Sequence, residues 1–248
     1  HSRSTRGIAV APYFLYRVEA SQTPQQALDM ALGEDVNPLV HASALTRARG
    51  RSLDVYEVNF HTTLGSASGA TRNAVLDSPA AGVALARRLM QASVTGVTRQ
   101  AVYTLAGYDS YTSGANRELA HLWGIARDLT RPRQWRPTGL ALEMLNNVTG
   151  GRAFAGACQG QACTELTALS FQNGMNWAFA SSSAQAQLVE WPCLSGHRMV
   201  ITLLDGQTLQ PLGAPEKPAH ASQAELVCRA DRGRWLMPAR SLLTVKTR

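Results

Sequence analysis

The sequence predicts an α/β region followed by an all-β region. As far as about residue 150, apolar strand-like runs alternate with runs that have helical spacing, and this alternation is typical of a parallel sheet built from βαβ units. Beyond residue 151 the helical period disappears, and six short strand-like runs are separated by Asn-Gly, Ser-Gly, Asp-Gly and Pro turns. Such runs predict an antiparallel β-sandwich. We therefore expect an α/β domain at 1–150 and a β-sandwich domain at 151–248.

The α/β region is predicted to contain three strands and five helices. The strands are 7–14, 53–60 and 98–106, and the helices are 23–32, 37–48, 78–93, 116–129 and 136–148. Thr23-Pro24 and Ser78-Pro79 are typical of helix N-termini, because Pro fits the first turn, where its missing N–H is not needed. Gly150-Gly151 follows the last helix and favours its termination.

Composition narrows the classes of partner. Of 248 residues, 45% are apolar and 17% are charged, as in packed globular proteins. The formal net charge of +7 comes from scattered Arg and Lys with no run of five like charges, so we do not predict nucleic-acid binding. A surface for anionic partners such as acidic polysaccharide stays open. No apolar run approaches the ~20 residues of a membrane helix, and the polar start without Met suggests a processed or truncated terminus.

All four cysteines lie in the last two fifths of the chain. They are Cys158, Cys163, Cys193 and Cys228. An even, clustered number predicts disulfides and an oxidising location, secreted or periplasmic. The simplest of three pairings is Cys158–Cys163 with Cys193–Cys228, and four buried free thiols are the alternative. The spacing matches no zinc motif, so we predict no metal site.

Polar and aromatic residues lie at or just beyond the carboxyl ends of all three predicted strands. They are Tyr13, Tyr16 and Arg17 at the first, Asn59 and His61 at the second, and Tyr103, Tyr108, Asp109 and Tyr111 at the third. Carboxyl ends of parallel strands meet at one edge, where such sheets place their chemistry. Aromatic rings with polar tips suit a sugar ring, so we predict a carbohydrate site there.

Glu57 is the one acid in the apolar second half of the strand 53–60. Simple alternation puts Leu53, Val55, Glu57 and Asn59 inward and leaves Tyr56, Val58 and Phe60 for the helix side. An inward carboxylate is costly unless it is hydrogen-bonded or used in chemistry. A functional Glu and a structural Glu paired with an Arg are equally compatible with the spacing.

Five segments, taken in order, resemble the C-terminal portion of clan-A-type glycoside hydrolases. They are IAVAPYF, YEVNFHTTLG, AVYTLAGY, RPTGLALEMLN and LMPARSLLTVKT. The resemblance covers nearly the whole chain and implies strands six to eight of a (β/α)8 barrel, its last helix and an appended β-sandwich. It implies a retaining glycosidase whose nucleophile at the end of strand seven is Glu57, with Tyr13, Asn59, His61 and Tyr108 lining the sugar subsite. This acid/base chemistry needs no cofactor.

The chain departs from that pattern in length and in one catalytic residue. A complete barrel takes roughly 250 residues, whereas about three βα units precede the sandwich here. In the family the acid/base Glu follows an Asn on strand four, and this sequence has no Asn-Glu dipeptide. The resemblance therefore implies a barrel half on the same or another chain. Asp109 and Glu118 are weaker candidates for the acid. The alternative function is a non-catalytic carbohydrate-binding or scaffold protein derived from a degenerate barrel.

Overall fold

The computed structural model describes residues 6–107, 111–113, 118–127, 129, 134–157, 161–207, 209 and 218–248. A three-stranded parallel sheet forms its first half, with strand order β1-β2-β3. Its strands are β1 (Gly7–Val10), β2 (Ser52–Val58) and β3 (Val97–Val102). The helices are α1 (Pro24–Gly33), α2 (Asn37–Arg47), α3 (Gly69–Leu76), α4 (Pro79–Val94) and α5 (Pro137–Val148). This architecture confirms the predicted partial barrel of about three βα units.

Local signals fix most helix starts. Thr23 and Gln26 form a reciprocal capping box at α1, and the Ser78 side chain accepts a hydrogen bond from the backbone N–H of Ala80 at α4. The short helix α3 was not predicted, although Ser68 caps it by accepting from the N–H of Thr71. Its eight residues are too few to show a clear helical period.

The predicted helix at 116–129 is wrong for the described residues. Strand β5 (Glu118–Ala120) lies within it instead and pairs antiparallel with β4 (Tyr111–Ser113), just upstream. Downstream, the backbone N–H of Thr104 donates to the carbonyl of Trp123, and the N–H of Ile125 donates to the carbonyl of Thr104. These tertiary hydrogen bonds outweigh the helical spacing of buried Leu122 and Ile125.

The second half is an antiparallel β structure in two layers. Six strands pair in the order β11-β10-β13-β8-β7-β6, and β9 and β12 form a separate ribbon. The strands are β6 (Phe154–Ala155), β7 (Leu166–Phe171), β8 (Asn176–Ser181), β9 (Gln187–Pro192), β10 (Arg198–Asp205), β11 (Ser222–Val227), β12 (Arg232–Met237) and β13 (Ser241–Thr247). Trp191 of the ribbon is 2% exposed in a core shared with the sheet residues Phe179 and Leu243.

The disulfide prediction is confirmed for one pair. Cys193 and Cys228 are bonded, with Cα atoms 6.0 Å apart. Cys163 is also disulfide-bonded, and its expected partner, Cys158, lies outside the described residues. The alternative of four free thiols is therefore wrong.

Helix α4 joins the two halves. It contacts β3 on one side and β7, β8, β10 and β13 on the other, and one apolar core continues across it. Gly82 permits the close crossing of α4 and α5, because a Cβ atom there would lie 2.3 Å from the carbonyl oxygen of Pro137. Buried Arg87 donates to the carbonyls of Leu32 and Thr164, which fastens α1 to the segment before β7. The boundary near residue 150 stays a prediction.

The predicted faces of β2 need correction. Leu53 and Val55, expected to point inward, are each 2% exposed in the core against the helices, whereas Tyr56 is 56% exposed. The pairing of β2 with β3 shifts register between Val55 and Val58. Such a bulge adds a residue and breaks the alternation of side chains. Val58 therefore stays on the helix side as predicted, and both Tyr56 and Glu57 are left accessible.

Candidate active site

Glu57 lies next to Tyr13 at the carboxyl end of the sheet. The Tyr13 hydroxyl donates a 3.1 Å hydrogen bond to Oε2 of Glu57, joining the ends of β1 and β2. Burial and the neighbouring Glu57 carboxylate together raise the pKa of Tyr13, so its hydroxyl keeps its proton and acts as a donor. The bond fixes one carboxylate oxygen and leaves Oε1 available for another partner.

His61 extends this cluster on the segment that follows β2. Its ring stacks on Tyr16 at a centroid distance of 4.5 Å and meets the edge of Tyr13 at 5.8 Å. Nδ1 lies 2.7 Å from Oγ1 of Thr63. Burial lowers the pKa of His61, which favours the neutral imidazole at pH 7. The result is an aromatic wall with polar tips beside Glu57.

Asn59 fastens β2 to the segments after β3. Its Nδ2 donates to the carbonyls of Tyr103 and Trp123 at 2.5 and 2.8 Å, and its Oδ1 accepts from the N–H of Phe60. Asn59 is 3% exposed. Both polar atoms of its amide therefore bond within the protein in this structure. The contact of Asn59 with substrate stays a prediction. The Tyr103–Thr104 peptide is cis, and the Tyr103 ring lies edge-on to Trp123 at 5.9 Å.

Arg72 holds the loop that carries His61. This fully buried side chain on α3 donates through Nη1 to the carbonyls of Thr62 and Leu64, and through Nη2 to the carbonyl of Gly65. Loop carbonyls that face the interior need such donors. Because the guanidinium offers five N–H groups in a rigid fork, one side chain fixes the path of the whole loop.

A second carboxyl group on β2 is committed elsewhere. Asp54 accepts from Arg99 at 2.7 Å and from Oγ1 of Thr98 at 2.6 Å. These hydrogen bonds, the one from Arg99 first, lower the pKa of Asp54. Asp54 therefore stays ionised and is unsuited to donate a proton.

The acid partner of Glu57 is not found among the described contacts. Over the described ranges, no hydrogen bond or ion pair links Glu57 to a second carboxyl group. Of the two candidate acids, Asp109 lies outside the described residues, as does the side chain of Glu118. Tyr108, a predicted sugar contact, also lies outside them. No group of three or more His, Cys, Asp or Glu suited to a metal occurs in the part of the chain that the structure describes.

Three site residues were missed or misplaced by the sequence reasoning. Tyr56 was assigned to the helix side, because a bulge leaves no mark in an alternating pattern. Trp123 lay within a segment predicted to be helical. Arg72 gave no signal at all, since a buried Arg cannot be told from a surface Arg on a short helix.

The fold is that of glycoside hydrolases. Clan-A glycoside hydrolases are among the solved structures that the chain resembles. One is a GH51 arabinofuranosidase from Xanthomonas axonopodis pv. citri, with a TM-score of 0.61, 13% identity and coverage of 100% of this chain and 54% of that one. A 4-O-α-L-rhamnosyl-β-D-glucuronidase from Fusarium oxysporum 12S, solved with Rha-GlcA, gives a TM-score of 0.60 at 13% identity, with coverage of 97% and 53%.

A family 44 endoglucanase from Clostridium acetobutylium ATCC 824 extends this likeness, with a TM-score of 0.57, 10% identity and coverage of 96% and 46%. The chain thus spans about half the length of these structures. No protein-family profile and no curated protein sequence matches it. At these identities the likeness establishes the fold alone, a partial barrel followed by a β domain.

Proposed function

We propose that the chain forms the C-terminal part of a retaining glycoside hydrolase with Glu57 as its nucleophile. The observation that carries the proposal is the position of Glu57. It is an accessible carboxylate at the carboxyl end of the central parallel strand, held by the Tyr13 hydroxyl at 3.1 Å. The fold supports this proposal, because the resemblance implies a nucleophilic Glu at the end of strand seven and Glu57 matches that position.

In the proposed reaction Glu57 attacks the anomeric carbon of a bound sugar. A bond forms between a Glu57 oxygen and that carbon while the glycosidic bond breaks, and the leaving oxygen takes a proton from a second carboxyl group. Retaining enzymes hold the two carboxyl groups about 5–5.5 Å apart. Water deprotonated by the second group then releases the sugar. The donor bond from Tyr13 would keep the attacking carboxylate in one orientation.

The second carboxyl group would come from a barrel half on the same or another chain. Ile8 on the outer strand β1 is 44% exposed, and β1 and β3 each pair with one neighbour over the described residues. Open parallel edges of this kind are normally covered in barrel folds. Strands added at these edges would complete the barrel and bring an acid opposite Glu57.

The substrate is proposed to be an oligo- or polysaccharide cleaved at an O-glycosidic bond. Aromatic faces and polar tips suit sugar rings, and the proposed contacts are Tyr13, Asn59, His61, Tyr103, Tyr108 and Asp109. The Cys193–Cys228 disulfide favours a secreted or periplasmic location. None of the described helices is long and apolar enough to span a bilayer.

Glu57→Gln in the complete assembly tests the proposal. The amide keeps the shape and the hydrogen bond acceptor but is a poor nucleophile, so turnover should fall by about three orders of magnitude or more. Asp54→Asn is the matched control, because Asp54 lies on the same strand and is paired with Arg99. Full activity of the Glu57→Gln variant would refute the nucleophile.

The non-catalytic alternative is favoured by one feature of the sequence. The chain has no Asn-Glu dipeptide of the kind that carries the acid/base residue in the family that it resembles. A carbohydrate-binding protein would bind saccharide equally well with Gln at position 57 and would hydrolyse no glycan, which the same pair of variants detects.

A further inference from the structure

A groove far along the chain from Glu57 runs between α5 and the face of the six-stranded sheet that also packs against α4. It encloses about 620 Å³, within the range of small-molecule sites. Asn147 of α5 forms part of one wall, Thr202 and Lys246 form part of the facing wall, and Trp135 lines one side. We call this space the α5 groove.

Cross-strand pairing aligns polar side chains along this wall. Thr202 of β10 pairs with Gln223 of β11 on one side and with Thr244 of β13 on the other. The next row on the same face brings Lys246 opposite Val200. Rows two residues apart are about 7 Å apart along a strand. The wall therefore presents side chains in evenly spaced rows, which suits an extended ligand.

Five polar side chains of the groove are uncommitted. The side chains of Asn147, Thr202, Gln223, His220 and Lys246 line it, and none of them makes a hydrogen bond or ion pair with the described residues. Polar groups that converge on a concavity without internal partners are available for a ligand. This set supplies donors and acceptors for hydroxyl groups.

The charge of the sheet wall favours an anion. Arg248, which lines this wall, is paired with Glu225 of the neighbouring strand β11 at 2.7 Å. Glu143, the acid that lines the α5 wall, has a partner too. The ammonium of Lys246 is left without a counter-charge there. Trp135 adds a flat apolar ring, half-buried and seated against Gly139, where a Cβ atom would lie 2.8 Å from its ring carbon.

We propose that the α5 groove binds a short acidic oligosaccharide, with Lys246 pairing with a sugar carboxylate and Thr202 and Gln223 bonding its hydroxyls. The choice of a saccharide rests on the proposed function, and the site itself does not use Glu57. The groove would hold a stretch of acidic polysaccharide away from the reacting bond. Holding one chain at two places raises the local concentration of the cleavable part.

Calorimetric titration of the full chain with trigalacturonate, and with uncharged cellotriose as comparison, tests the proposal. Trigalacturonate should bind and cellotriose should bind at least tenfold more weakly. Lys246→Ala should weaken trigalacturonate binding about tenfold, as expected for loss of one charge-assisted hydrogen bond. Gln223→Ala should weaken it less. Both side chains are exposed, so these variants should fold.

Two controls separate this site from the candidate active site. Arg152→Ala removes an exposed cation outside the groove and should leave binding unchanged, and so should Glu57→Gln. No binding of trigalacturonate, equal binding of cellotriose, or an unaffected Lys246→Ala variant would overturn the inference. If Glu57→Gln loses binding and Lys246→Ala keeps it, the ligand binds at the strand ends and the inference is overturned as well. Full turnover by Glu57→Gln would instead refute the proposed nucleophile and leave the groove standing.

Discussion

Glu57 and His61 lie four residues apart, and their partners differ in kind. Glu57 accepts from the Tyr13 hydroxyl, whereas His61 is packed against the rings of Tyr13 and Tyr16. The position of Glu57 at a strand end was predictable from one acid in an apolar run. The bond from Tyr13 was not, because it joins residues 44 apart in sequence.

The burial of His61 predicts a pH dependence of stability. Its folded-state pKa is lowered by burial from the ordinary 6.5, so the folded protein disfavours the imidazolium. The stabilising contribution is fully present above about pH 6.5 and is lost as the pH falls through the folded-state value. Urea unfolding at pH 7.5 and pH 5 should show a smaller loss for His61→Gln than for the parent. An equal loss in both proteins would contradict the assigned burial.

The elements were predictable where local chemistry decides them. Capping residues and Pro at the first turn marked α1 and α4, and turn residues marked the β strands. The bulge in β2 and the extended path at 118–127 were not predictable, because both are set by partners distant in sequence. A pattern of apolar spacing reports burial, and a buried loop can satisfy it as well as a helix can.

The crossing of α4 and α5 depends on Gly82. Gly82→Ala would place Cβ 2.3 Å from the carbonyl oxygen of Pro137, and two packed helices would have to separate. We expect a loss of about 2–3 kcal/mol in the free energy of unfolding. Chemical denaturation measures it.

Gly33→Ala is the matched control for this substitution. Gly33 ends α1 with no atom within 4 Å of a built Cβ, so the change should be neutral or stabilising by up to about 1 kcal/mol. Equal effects of the two substitutions would contradict the close helix crossing.

At the scale of the whole molecule, α4 lies between a parallel sheet and an antiparallel sheet within one core. The order of strand-helix and strand-strand runs predicted both halves. The packing of the two halves around α4 could not be predicted. This helix is buried on nearly all sides, whereas Arg87 and Arg88 within it are of a residue type that usually lies on the surface. Their burial is possible because backbone carbonyl groups distant in sequence accept hydrogen bonds from the two guanidinium groups.

The Cys193–Cys228 disulfide is expected to be a major source of stability for the β half. It closes a loop with a sequence separation of 35, which corresponds to about 3–4 kcal/mol of loop-closure entropy. The Cys193→Ala/Cys228→Ala double variant should lose about that much in urea unfolding. A variant as stable as the parent would show that the bond adds nothing to the fold.

The most direct test of the central claim is covalent trapping on the complete assembly. A slow fluorinated glycoside that accumulates the glycosyl-enzyme should add one sugar to the protein, and peptide mass spectrometry should place it on Glu57. A trapped sugar on any other carboxylate, or hydrolysis with inverted anomeric configuration, would contradict the assignment of Glu57 as nucleophile.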